Sequence, residues 1–110
     1  MAVIYDRLLT VCDLDSESVP RVLVPGESYY YRETVIGETR FYAAMQAGAR
    51  IDMSIEMWRA PVRAGQYCLI DGEQYRVVRA QAKDNADGLP VTVLTLRLSE
   101  TEFPVKGGAP

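Results

Sequence analysis

The chain has 110 residues, 48% of them hydrophobic and 25% charged, with a net charge of −3 from 12 basic and 15 acidic side chains. This length suits one domain with a modest core, and the hydrophobic content excludes a wholly disordered chain. The acidic excess argues against a surface that grips nucleic acid by neutralising phosphates.

Residues 4–12 read as a strand that runs into Asp13-Leu14-Asp15-Ser16-Glu17-Ser18, a polar acidic loop closed by Pro20. A short apolar piece, residues 21–24, is stopped by Pro25-Gly26, a turn signal. Residues 28–36 are rich in Tyr, Thr and Val and predict a second long strand. On it Tyr29 and Tyr31 point one way and Tyr30 and Arg32 the other.

Residues 38–48 predict two turns of helix. Phe41, Ala44 and Met45 recur at helical steps, Thr39 can cap the free N–H groups at the start, and Gly48 can take the left-handed turn that ends it. A helix this short needs packing to persist, and the strand that follows is the surface expected to receive it. That strand, residues 51–58, alternates cleanly: Ile51, Met53, Ile55 and Met57 on one face, Asp52, Ser54, Glu56 and Trp58 on the other.

Residues 59–65, with Pro61, form a connection. Residues 66–70 and 74–82 then make a hairpin about Asp71-Gly72, a pair that favours left-handed dihedrals. Residues 83–90 are a polar loop, and 91–98 a last strand with Leu94, Leu96 and Leu98 on one face. The domain is expected to span 1–98, with 99–110 a mobile tail. About six strand-like runs and one short helix predict an all-β fold, a small antiparallel barrel or sandwich whose sheet curls to hide its edges.

Candidate chemistry is sparse. The chain has no histidine, which removes the commonest general base and transition-metal ligand. The acids Asp13, Asp15 and Glu17 sit in a solvated loop. Asp84-Asn85-Ala86-Asp87-Gly88 lacks the alternating oxygen ligands and distal glutamate of a calcium loop. No catalytic, cofactor or metal site is therefore expected. Cys12 and Cys68, without CxxC spacing, read as small reduced core residues. No signal peptide or membrane span is evident, so the chain is expected to fold in a cytoplasm.

The three successive tyrosines Tyr29, Tyr30 and Tyr31 cannot all face one core, and Trp58 falls on the polar side of its strand. Two readings stand: an exposed aromatic patch at an interface, or a second sheet face covered by the helix or the tail. Arg40, in the first helical turn where the dipole disfavours a cation, is either solvated or held by a carboxylate of another subunit. With Phe103 of the tail, these residues are the candidate interface.

The run Thr39-Arg40-Phe41-Tyr42-Ala43-Ala44, followed by Gln46-Ala47-Gly48, an alternating strand and a tyrosine-bearing hairpin, resembles the head closure proteins of tailed bacteriophages. The likeness extends from Tyr5-Asp6-Arg7-Leu8-Leu9-Thr10-Val11 to Asp71-Gly72-Glu73-Gln74-Tyr75-Arg76-Val77-Val78. It implies a ring, commonly of twelve copies, in the virion neck below the portal and its adaptor, assembled in the host cytoplasm. Such a ring seals the filled head and presents a docking surface to the tail-completion (terminator) protein, and DNA passes through it as cargo. On the resemblance, Phe41, Tyr42 and Ala44 anchor the helix, to which the helical spacing adds Met45, and Asp71, Gly72 and Tyr75 belong to the hairpin. A different connector subunit, or a β-barrel module that binds an oligonucleotide or glycan through exposed tyrosines, is the alternative.

Overall fold

A computed structural model describes residues 4–34 and 52–107. The predicted helix, with Phe41, Tyr42, Ala44 and Met45 and with Arg40, lies outside the described residues. What is described is all-β: β1 (Arg7–Asp15), β2 (Val22–Thr34), β3 (Met53–Trp58), β4 (Tyr67–Ile70), β5 (Glu73–Asp84) and β6 (Pro90–Leu98).

The six strands form one antiparallel sheet in the closed order β1-β2-β3-β6-β5-β4. Closure comes from β1 and β4, where Val11 stands opposite Cys68. Every strand thus has a neighbour on each side, the arrangement that removes sheet edges. Period-two alternation then sorts side chains into an inside and an outside. Leu9, Val11, Tyr31, Ile55, Met57, Cys68, Ile70, Val77, Leu94 and Leu96 fill the interior, with Tyr29, Met53 and Tyr75 packed against them.

Two irregularities keep this alternation in phase. Thr10 pairs with Ser28 but Cys12 pairs with Pro25, so β2 carries one extra residue at Gly26-Glu27. The Pro25-Gly26 pair that reads as a turn therefore marks a bulge inside one continuous strand. A Cβ on Gly26 would lie 3.1 Å from the Val11 carbonyl oxygen of β1, which explains glycine there. On β5, Val77 pairs with Leu96 and Arg79 with Thr95, leaving Val78 as the extra residue. Without that bulge Arg79, rather than Ala80, would be turned into the core.

The β4–β5 hairpin has the predicted turn. Asp71 (φ 51°) and Gly72 (φ 80°) both occupy left-handed backbone, as a two-residue type I′ turn requires. At the other end of β5, the Asn85 side-chain oxygen accepts from the N–H groups of Asp87 and Leu89, both at 2.9 Å, and so shapes the loop.

Where a mobile tail is expected from Ser99, residues 99–107 pack on the outside of the sheet. Phe103 is buried with Tyr67, Leu23 and Cys12, its ring edge-on to Tyr67 at 5.6 Å. Leu23 N–H donates to Pro104 O and Lys106 N–H to Leu23 O, each at 2.8 Å, adding a parallel bridge to the first part of β2, which β3 does not reach. Gln74 clasps the same segment: its Nε2 donates to Phe103 O at 2.7 Å and its Oε1 accepts from Phe103 N–H at 2.9 Å. Residues 103–106 are thus fastened to the sheet of their own chain.

Candidate interaction surface

Neighbouring residues on a strand face opposite ways, and in β1 and β2 this forces large side chains outward. Leu9 and Tyr31 enter the core, so Leu8 and Tyr30 cannot. They stand opposite one another across the two strands. On the far side of β2, Tyr31 pairs with Met57, and the same register carried one step places Tyr30 beside Trp58. Leu8, Tyr30 and Trp58 thus make one row across β1, β2 and β3, at 52%, 60% and 47% exposure. Ile4, at 69%, adds a further exposed apolar side chain on the segment leading into β1.

Two polar contacts fix the edge of this row. The Tyr5 ring meets Trp58 edge-on, 4.9 Å between centroids, and its hydroxyl donates to Glu56 Oε2 at 2.6 Å. Arg32 Nε donates to the same oxygen at 3.1 Å. Glu56 is buried, so its carboxylate depends on these two donors for the solvation it has lost. Burial first, and then the hydrogen bond to Glu56, raise the Tyr5 hydroxyl above its ordinary value, keeping it protonated as the donor.

The predicted interface residues therefore separate. Tyr30 and Trp58 come together on the surface. Tyr31 is fully buried and Tyr29 packs against the core, while Phe103 is buried where the C-terminal segment docks on Cys12, Leu23 and Tyr67. On the outer face of the sheet, residues 103–105 cover one part, and the Leu8–Tyr30–Trp58 row is exposed. Arg40 lies outside the described residues.

Of the hairpin residues, Asp71 is exposed and paired with Arg7 at 3.1 Å, Gly72 completes the turn, and Tyr75 packs against the interior. The Arg7 guanidinium also lies 5.4 Å from the centre of the Tyr31 ring. Among the described residues the buried Tyr31 hydroxyl has no hydrogen-bond partner, and burial raises it above its ordinary value.

Cys12 and Cys68 sit on adjacent strands but belong to opposite faces of the sheet, one in the outer cluster and one in the interior. Both are free thiols. Burial pushes Cys12 up to about 11 and Cys68 up to about 12, so neither is a nucleophile near neutrality. Among the described residues no three His, Cys, Asp or Glu side chains are grouped to hold a metal ion. What the arrangement offers is apolar and aromatic contact area on a rigid sheet, the composition of a protein interface. Sequence reasoning missed Leu8, although the neighbouring leucines Leu8-Leu9 carried the signal: a half-buried strand can hide only one of two adjacent side chains.

No family model matches the chain, and no curated protein matches it. Among solved structures it is similar to protein SF1141 from Shigella flexneri 2a, a structural genomics target. The two share a TM-score of 0.54 at 12% identity, over 89% of this chain and 96% of the other. At that identity the similarity concerns the fold.

Proposed function

We propose that this protein is a structural connector, a head closure subunit of a tailed phage or prophage. Copies of it form a ring below the portal and adaptor that seals the filled head and receives the tail. The observation that carries the reading is the row Leu8, Tyr30 and Trp58. The interior core is complete without these side chains, so the fold dictates that they face outward but not that they be apolar or aromatic. Aromatic side chains placed on a rigid surface are the usual anchors of subunit contacts. The order of sequence elements resembling head closure proteins directs the reading to a virion neck, and the acidic balance of the chain suits a ring through which DNA slides.

The test is a Tyr30→Ala/Trp58→Ala variant. Its circular dichroism and denaturation midpoint should stay close to the parent, since both side chains are exposed. Its incorporation into DNA-filled heads that lack this subunit, and tail joining to those heads, should fall at least tenfold. Parent protein that neither assembles on such heads nor self-associates rules the connector reading out.

A second reading follows from the same pair. Tyr30 and Trp58 side by side can stack bases or sugar rings, as binding modules do. Trp58 is the sole tryptophan, so its emission reports on this surface alone. Saturable quenching by a single-stranded oligonucleotide or an oligosaccharide, absent in Tyr30→Ala, favours the module over the connector.

A further inference from the structure

We infer that a cleft on the outside of β5 and β6 docks a carboxylate-bearing segment of another protein, received by Arg76 and Arg97. The two arginines stand directly opposite one another across the strands. Like charges in that position repel, and a chain of net charge −3 has no general excess of cations that would place them there by chance. The pair forms a ridge between two cavities. One, of about 170 Å³, is lined by Tyr67, Phe103 and the turn at residues 99–101. The other, of about 360 Å³, is lined by Ala64, Gly65, Val77 and Val78.

One half of the ridge is already occupied by the chemistry inferred. Arg97 Nη2 donates to Glu100 Oε1 at 2.8 Å. Arg76 makes no such bond among the described residues, so a guanidinium fork is left open beside one that holds a carboxylate. Planar guanidinium groups recognise carboxylates through paired N–H donors, which gives both strength and orientation.

The surroundings select a single carboxylate over a phosphate or a nucleic-acid strand. Glu73, Glu100 and Glu102 line the adjoining cavity and would repel a dianion or polyanion more than one monoanion. Val78, exposed at the β5 bulge, and the accessible edges of the largely buried Tyr67 and Phe103 rings offer apolar contact to what flanks the acid. The fitting partner is an extended segment with an aspartate or glutamate between apolar side chains. Glu100 acts as an internal stand-in that such a segment displaces from Arg97. This inference stands apart from the connector reading and involves a different face of the molecule.

The experiment is a titration of the intact protein with the blocked peptide acetyl-Leu-Leu-Glu-Leu-Leu-amide, which carries one carboxylate, followed by NMR shifts of the Arg76 and Arg97 side-chain N–H groups. Expected are saturable shifts that weaken at higher salt, at least tenfold weaker binding in Arg76→Gln, and unchanged binding in the exposed control Arg63→Gln. Glu100→Gln should bind several-fold more tightly. Glu102→Gln changes the net charge equally but frees no arginine, and should tighten binding less than Glu100→Gln does. The inference is overturned by any of four results: no saturable shift, equal binding of the matching glutamine peptide, equal tightening in Glu100→Gln and Glu102→Gln, or stronger binding of inorganic phosphate or a single-stranded oligonucleotide at the same residues.

Discussion

Replacing Gln74 with alanine removes both hydrogen bonds that fasten the Phe103 backbone to β5, at 2.7 and 2.9 Å. Both are buried, so if the tail stays in place the Phe103 N–H and C=O lose their only partners from that side chain. Leaving a buried polar group unsatisfied costs about 1–3 kcal/mol, so the pair together costs about 2–4 kcal/mol after some relaxation. The competing outcome is undocking of the segment, which exposes Phe103 and gives up the bonds to Leu23. Its cost is bounded by what truncating a buried Phe loses, about 3–5 kcal/mol.

These magnitudes overlap, so Gln74→Ala should both destabilise the domain and loosen the tail. In denaturant titrations we expect a loss of about 2–3 kcal/mol. Amide exchange at Phe103, Lys106 and Leu23 should accelerate together, because they share one zipper, while interior amides such as Val77 follow only the global loss. Gln74→Glu should be no better than alanine, since a carboxylate accepts from Phe103 N–H but repels the Phe103 carbonyl. A loss below about 0.5 kcal/mol, with exchange at those three amides unchanged, refutes the clasp as the fastening of this segment.

The two bulge and turn glycines should fail for different reasons. Gly26→Ala pushes a Cβ to 3.1 Å from a backbone oxygen of β1, an overpacking that we expect to cost about 1–3 kcal/mol by thermal or chemical unfolding. Gly72 has open space around it but φ 80°, so Gly72→Ala should cost about 1–2 kcal/mol from backbone strain, and Gly72→Asn less. Stability should also fall as pH rises from 9 towards 10. In the unfolded chain each thiol ionises near 9.0, but in the fold not until about 11 for Cys12 and about 12 for Cys68. Over that interval the unfolded state holds fewer protons, so the linkage slope is negative. Urea midpoints at pH 8 and pH 10 measure it, and Cys12→Ala/Cys68→Ala should flatten the decline.

Much of the strand content was legible from the chain. Alternation in β3 identified Ile55 and Met57 as core, and the Asp71-Gly72 pair specified its own turn, because left-handed φ at two successive positions suits few residue pairs. Bulges were not legible. Pro25-Gly26 carries the composition of a turn, and only the facing Val11 carbonyl shows that the strand runs through it. Val78 next to Val77 gave no hint of which one the core would take.

The tail shows the same division. Residues 99–107 read as loose because they have no periodicity, and the polar Gln74 that fastens them stands far away in sequence. By itself the order of amino acids determined the strands, the faces they could bury and the near absence of reactive groups, since these depend on neighbours along the chain. Closure of the sheet, the Gln74–Phe103 clasp, the Leu8–Tyr30–Trp58 row and the Arg76–Arg97 ridge were decided only by tertiary structure. Each depends on which strands lie side by side, and that register is set by packing and bulges between residues distant in the chain.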